Sequence, residues 1–276
     1  MTATAPETLD LQRAAREHLW LHFTRMGGDG EVPIIVRGDG CYLEDANGKR
    51  YLDALAGLFS VNIGYGYGEE IGEAAAAQMR ELPFYTNWGY AHPRAIELAS
   101  EVASLTPGDL NRLFFVSGGS EAVESAWKLA RQYYTARSEQ RTRAILPTSL
   151  GGETPTRVDE ARGAVSTGRR WKAISRHIAY HGPTMGALSI NGIPALRTPF
   201  EPLVPEVHHV RNTNRYHRPE GETEEQFTAF LLDDLEQTIE AAGPDTICMV
   251  IMEPVQNAGG SFTPPEGYWK GVREIC

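Results

Sequence analysis

The nine residues Phe114-Phe115-Val116-Ser117-Gly118-Gly119-Ser120-Glu121-Ala122 constrain this chain more than any other stretch. An apolar run ends in a glycine-bearing turn, and a helix-period segment follows at once. Ala122, Val123, Ala126, Ala130 and Tyr133 fall on one face at spacings of three and four. Strand, tight turn and helix in that order build an α/β layered fold. They also gather free backbone N–H groups and the positive end of a helix dipole at one point, which suits phosphate. Gly118 and Gly119 allow close backbone approach, and Ser117 and Ser120 add hydroxyl donors. The pattern is neither G-x-G-x-x-G nor G-x-x-x-x-G-K-[ST], so a dinucleotide fingerprint and a P-loop both fit poorly. An ordinary strand-to-helix turn capped by serine fits these nine residues equally well.

The rest of the chain keeps the same alternation. Residues 172–178 form a short apolar run, and residues 207–210 a short strand after a proline-rich loop at 193–205. Ile247-Cys248-Met249-Val250-Ile251-Met252 is continuously apolar, as in a strand buried on both faces. Thr223-Glu224-Glu225-Gln226 is a capping box. It opens a helix with Phe227, Phe230, Leu231, Leu235 and Ile239 on one stripe, ended by Gly243-Pro244. Helices are predicted over 12–25, 69–82, 94–105 (introduced by Pro93) and 267–275, the last with Trp269, Val272 and Arg273 on one side. Residues 41–52 read as a β-hairpin with a type I′ turn at Asn47-Gly48. His18 and His22 stand at i, i+4 on the first helix, but without a neighbouring Glu or a third ligand they imply no metal. His208 and His209 are adjacent, so on a strand they face opposite sides and carry no chemistry by spacing.

Composition narrows the function classes. A formal charge of −10 argues against a nucleic-acid partner, which favours a basic face. No run approaches the ~20 apolar residues of a membrane span, and the first 11 residues lack a basic and apolar signal pattern. Cys41, Cys248 and Cys276 are odd in number and widely spaced, which fits a reducing cytoplasm, with Cys248 as a small thiol in an apolar run.

Ser117-Gly118-Gly119-Ser120-Glu121-Ala122, then Tyr180-His181-Gly182, then Glu253-Pro254-Val255, in this order, resemble the class III family of pyridoxal-phosphate (PLP) aminotransferases. Asp53-Ala54-Leu55-Ala56-Gly57-Leu58-Phe59 and Leu82-Pro83-Phe84-Tyr85-Thr86-Asn87-Trp88 resemble the ω-amino acid and amine:pyruvate transaminases within it. The resemblance implies PLP-dependent transferase fold type I: an incomplete large domain at 81–276 with a mainly parallel sheet, preceded at 1–80 by a helix and hairpin segment of the small domain. It implies PLP as cofactor, held by Gly119 and Ser120 at the phosphate, by Tyr180 stacked on the ring, by His181 through hydrogen bonding, and by Glu253 in the network around the ring nitrogen. Phe59 and Trp88 match substrate-pocket positions. Glu121 follows the phosphate residues and as an anion suits a capping role at the helix start. Amine and keto-acid substrates and a homodimer of the full-length protein are implied as well. An aminomutase, racemase or decarboxylase of the same fold shares these motifs, and a non-catalytic PLP-binding fragment remains a third reading.

The family's ring-nitrogen aspartate and cofactor-binding lysine lie downstream of Glu-Pro. Lys49, Lys128, Lys172 and Lys270 do not stand in that context. The expectation is therefore an inactive N-terminal portion, with no catalytic residue and no metal ligand in these 276 positions. Residues 138–170 lack periodicity and are rich in Gly, Pro, Thr, Arg and Glu, so they read as an unusual loop insertion between two cofactor motifs.

Overall fold

A computed structural model describes residues 5–25, 30–145 and 170–276. The chain divides into two compact units, Met1–Arg112 and Leu113–Cys276. Position 80, where the sequence reading divides the chain, lies within the first unit.

The first unit begins with α1 (Ala5–His18), whose second residue, Pro6, has its φ preset for a helix start. α1 stops well short of residue 25, and His22 lies in the turn that follows, so His18 and His22 share no helix face. The Gln12 side chain donates to Val32 O at 2.7 Å and accepts from Val32 N at 3.2 Å, tying α1 to the segment before the sheet. Strands β1 (Ile35–Asp39), β2 (Tyr42–Asp45) and β3 (Arg50–Leu52) form an antiparallel sheet in that order. The predicted hairpin is present, but its turn is not type I′. Among the turn residues only Gly48 has positive φ (78°), and Gly48 N donates to Asp45 O at 2.9 Å. That is a type I turn followed by a left-handed bulge residue. Asp45 selects it: Oδ1 accepts from Asn47 N and Lys49 N, both at 2.9 Å, and Oδ2 accepts from Tyr51 Oη at 2.7 Å. Helices α2 (Gly68–Glu81) and α3 (Pro93–Leu105) follow, close to the predicted bounds. Pro93 opens α3, and His92 Nδ1 accepts from Arg94 N at 3.1 Å as its cap.

The second unit is a three-layer α/β arrangement. Its parallel sheet runs β5–β4–β6, with β4 (Lys172–Arg176) between β5 (Val207–Val210) and β6 (Ile247–Val250). Alternation along β4 sends neighbours to opposite faces. Ile174 joins Val210, Ile247, Phe227, Leu231, Leu235, Tyr268 and Val272 on the face covered by α7 (Glu224–Ala242) and α8 (Tyr268–Ile275). Ala173 joins Trp127 and Ile190 on the other face, covered by α4 (Gly119–Ile145) and α5 (Met185–Ile190). Full burial of a side chain such as Leu235 stabilises by about 1.5–3 kcal/mol. The capping box at Thr223 forms as predicted: Gln226 N donates to Thr223 Oγ1, and Thr223 N donates to Gln226 Oε1.

Four local expectations are corrected. Phe114, Phe115 and Val116 form no ladder; they are exposed, with no strand partner among the described residues. The inward stripe of α4 is Val123, Trp127, Ala130 and Tyr134, because the large indole at 127 takes the core position and leaves Tyr133 exposed. The loop at 193–205 contains the helical turn α6 (Pro194–Arg197) and a 3-10 turn at Thr198–Phe200. On α8 the buried pair is Tyr268 and Val272, with Trp269 left partly exposed. Of the segment read as an insertion, residues 138–145 continue α4 and residues 146–169 lie outside the described ones. Among the described residues no helix is long and apolar enough to cross a membrane.

Candidate cofactor site at the ends of the parallel strands

Ligands gather beyond the carboxyl ends of parallel strands. Here those ends lead into Tyr180-His181-Gly182 after β4, Thr213 after β5 and Glu253 after β6. α4 starts at Gly119, and Glu121 Oε2 accepts from Ser117 N at 2.8 Å, so Glu121 closes the start of the helix as a cap. The N–H groups of Gly119 and Ser120 stand in the first turn, where an α-helix offers them no acceptor. Space beside Gly118 and Gly119 is open to at least 4 Å.

The Ser120 turn and the Tyr180 loop touch. Gly182 has φ +127°, and a Cβ there would stand 2.9 Å from Ser120 Cα and in collision with its Oγ. Only glycine lets the two motifs close on each other. Asn191, fully buried at the end of α5, fixes the loop from behind: Oδ1 accepts from His181 N, and Nδ2 donates to Gly182 O at 2.9 Å. Glu124, one turn into α4, caps α5 by accepting from Thr184 Oγ1, from Gly186 N at 3.0 Å and from Ala187 N at 3.3 Å. The Thr184 hydroxyl, ahead of the two N–H groups, holds its carboxyl below the usual range.

Tyr180 is 38% exposed, so a ring face is available, and its N–H donates to Glu253 Oε1 at 3.3 Å. Glu253 lies three residues past β6 and is not a solvated strand-end acid. Its side chain is 18% exposed and stands 3.8 Å from the Arg176 guanidinium. Burial raises the Glu253 pKa, while the Tyr180 N–H and Arg176 oppose the rise. His181 differs from expectation in its bonding. The ring is buried with no partner at Nε2 among the described residues, and the hydrogen bond is made by its backbone N–H. Burial, then Arg176 and His209, lower its pKa to about 4, so the imidazole is neutral. His209 is likewise not a bland strand residue. It stacks on His177, and its Nε2 lies 2.9 Å from Asn191 O, which requires a proton on Nε2. Burial first, then Arg197, lower its pKa to about 4.

Phe59 and Trp88 belong to the first unit. Ala56, Gly57, Leu58 and Phe59 have φ of 49°, 56°, 58° and 64°, one turn of left-handed helix. L-residues pay about 1–2 kcal/mol each for that conformation. Asp53 supports it: Oδ1 accepts from Leu55 N at 3.1 Å, and Oδ2 accepts from Gly57 N at 2.8 Å and from Tyr65 Oη at 2.6 Å. The Tyr65 hydroxyl is also the largest cause of the lowered Asp53 pKa. Phe59 is half exposed and Trp88 is 89% exposed, so neither is a core aromatic of its unit.

The family model of aminotransferase class-III matches residues 27–276. The chain belongs to the class-III aminotransferases. Among class-III relatives, "Probable aminotransferase Rv3329" of Mycobacterium tuberculosis is 47% identical over 96% of this chain and 51% of its own length. A putrescine–pyruvate aminotransferase of Pseudomonas aeruginosa is 31% identical over 99% and 54% respectively. Among solved structures, a thermostable (S)-enantioselective ω-transaminase from Thermomicrobium roseum superposes with a TM-score of 0.79 at 37% identity, covering 100% of this chain and 55% of that one. The chain therefore spans about half the length of the relatives it matches. The fold is PLP-dependent transferase fold type I, and the class-III aminotransferases depend on PLP. The donor set here fits that cofactor: helix-start N–H groups that α4 itself leaves without an acceptor, for a dianionic phosphate, a partly exposed aromatic ring, and a largely buried acid at the strand ends.

Sequence reasoning missed Arg176, Asn191, Thr213 and Glu124. Arg176 carried a usable signal. It lies inside the run at 172–178 that reads as a buried strand, and a charge that is buried requires a partner. Asn191 and Glu124 act across loops, and no spacing announces them.

Proposed function

We propose that the full-length protein is a PLP-dependent transaminase that moves an amino group from an ω-amino acid or amine to a keto acid such as pyruvate. The observation that carries this reading is the closure of the Ser120 turn on Gly182, with Glu253 bonded to the intervening loop at Tyr180. Gly119 and Ser120 hold the phosphate through N–H groups and the Ser120 hydroxyl. Tyr180 packs on the ring, His181 braces the loop as a neutral group, and Glu253 supplies the acid of the ring-side network. When bound, PLP supplies an electron sink for chemistry at the amine carbon. Phe59 and Trp88 line the substrate pocket and favour apolar amine substituents, a reading supported by their exposure. The putrescine–pyruvate aminotransferase and the ω-transaminase among the relatives agree with such donors.

The lysine that carries the cofactor lies outside these 276 residues in this reading, so the 276-residue chain by itself does no amino transfer. Lys172 supports this: it sits at the opposite end of β4, where Nζ donates to Ala242 O at 2.7 Å and pairs with Glu206 at 3.1 Å. Lys270 pairs at 3.9 Å with Glu274 on the exposed side of α8, and Lys49 lies over the Tyr51 ring in the first unit. Residues 81–276 belong to the cofactor-binding domain in the same proposal. The full-length protein is a cytoplasmic homodimer, with residues 58–88 contributing to its interface. Leu58, Ile63, Ile71, Met79, Phe84 and Trp88 are all exposed, an apolar surface that association would cover.

Ser120→Asp in the full-length protein tests the site. A like charge at the phosphate and a lost donor should weaken PLP binding by at least about a hundredfold. Unchanged affinity removes Ser120 from the site. Alanine formation from pyruvate and an amine tests the reaction. Borohydride trapping with peptide mapping tests the lysine, and a stoichiometric adduct on Lys49, Lys128, Lys172 or Lys270 with turnover refutes its assignment elsewhere.

A further inference from the structure

Arg176 is fully buried, and the cofactor reading above gives it no role. It is the last residue of β4. Its NH1 donates to Thr213 Oγ1 at 3.1 Å, three residues past β5. Its NH2 donates to Glu253 O and lies 3.8 Å from Glu253 Oε2, three residues past β6. One planar guanidinium thus joins the carboxyl ends of all three parallel strands. Its other surroundings are the Trp269 ring, 5.5 Å away, and the buried Tyr268. A flat, fixed donor fork can reach both partners at once, which a lysine ammonium cannot.

We propose that Arg176 is a positioning residue: it holds the Glu253 carboxylate where it receives the Tyr180 N–H, and so sets the Tyr180 ring against the cofactor. The chain of contacts is continuous. Arg176 donates to the Glu253 backbone carbonyl and faces its carboxylate as an ion pair at 3.8 Å, with no hydrogen bond to Oε2 among the described residues, and Glu253 Oε1 takes the Tyr180 N–H at 3.3 Å. From behind, Asn191 holds the next two residues of the loop. With Glu253 held, the Tyr180 N–H has a fixed acceptor. Without Arg176, the buried carboxylate must find another donor or take a proton, and the Tyr180 N–H loses a fixed acceptor. The proposal rests on the cofactor reading only for its last step, from Tyr180 to the ring of PLP.

The experiment has two arms on the full-length protein. In the first, hydrogen exchange of the Tyr180 amide is measured without PLP, in the unsubstituted protein, in Arg176→Gln and in Arg176→Lys. Protection should fall about tenfold or more in Arg176→Gln and be partly kept in Arg176→Lys, while amides of α7 stay unchanged. Equal protection of the Tyr180 amide in all three overturns the proposal, whether or not the protein binds PLP. In the second arm, PLP affinity and the circular dichroism of the bound cofactor are compared for Arg176→Gln in the Tyr180 and Tyr180→Ala backgrounds. A loss of about tenfold with Tyr180 present, and less than about twofold without it, supports the route through Tyr180. The same loss in both backgrounds overturns it. Should Arg176→Gln fail to fold, Arg176→Met combined with Glu253→Gln leaves no unpaired charge. It should then fold and show the same loss of Tyr180 protection; retained protection overturns the proposal. If the unsubstituted protein binds no PLP, the cofactor reading fails and the first arm alone decides.

Discussion

Gly182→Ala should separate the two motifs that make the site, and its cost can be worked from the geometry. The residue has φ +127°, which an L-residue adopts at about 1–3 kcal/mol. The new Cβ would also stand 2.9 Å from both Cα and Cβ of Ser120, atoms that no side-chain rotation moves away. Relief requires the Tyr180 loop and the start of α4 to move apart, an overpacking cost of about 1–3 kcal/mol. The sum is about 2–6 kcal/mol. Gly267→Ala is the control: φ is +79°, nothing lies within 4 Å, and the backbone term of about 1–2 kcal/mol stands alone. Urea unfolding of the two variants isolates the packing term by difference. In the full-length protein Gly182→Ala should also weaken PLP binding by about tenfold or more, because phosphate donors and ring partner no longer stand at their native separation, while Gly267→Ala leaves affinity unchanged. Equal destabilisation by the two variants, or full PLP affinity in Gly182→Ala, refutes the reasoning.

Other outcomes follow from single contacts. Asn191→Leu leaves a buried N–H at His181 and a buried carbonyl at Gly182 without partners, and should cost about 2–4 kcal/mol in urea unfolding; a cost near zero shows that the loop is held otherwise. Trp127→Ala empties the core on the α4 face of the sheet and breaks the 3.0 Å bond from Nε1 to Trp171 O, so a loss of about 3–5 kcal/mol is expected by the same assay. His181 and His209 are folded as neutral rings with pKa about 4, against 6.5 when unfolded. The unfolded chain therefore takes the protons first. Stability is fully present above pH ~6.5 and falls as pH drops from there toward ~4, by up to about 3 kcal/mol for each ring. Unfolding measured at about pH 7.5 and 5 should show the drop, and His209→Phe should reduce it; a flat profile contradicts the buried neutral assignment.

Much of the layered fold was legible because its signals are local. The capping box at Thr223, the apolar stripe of α7 and the continuous apolar run at β6 each declare themselves within one element. The misreadings share a cause. Phe114, Phe115 and Val116 have strand composition, but a strand exists only with a partner, and pairing is not written in three residues. The α4 stripe was displaced by one position because alanines fit either face, and only packing shows that Trp127 is the anchor. At the hairpin, Asn47-Gly48 suggests a type I′ turn, yet the Asp45 carboxylate outweighs that preference with three hydrogen bonds. The site was legible as motifs and illegible as a network. Ser120, Tyr180 and Glu253 were found singly, whereas Arg176, Asn191 and Glu124, which hold them together, act across 77, 10 and 62 positions of chain.

The strand order also fixes how the sheet can be assembled. β4 comes first in the chain and takes the central place; β5 is added on one side and β6 on the other. Among the described strands none has to be threaded between two already paired, so synthesis from the N-terminus can lay these three down outward from β4. The guanidinium of Arg176 is delivered early and its acid last, 77 residues later. Until Glu253 is made, the centre of the growing sheet keeps an uncompensated cation that must stay in water. Arrival of β6 pairs the second side of β4 and permits that centre to dry.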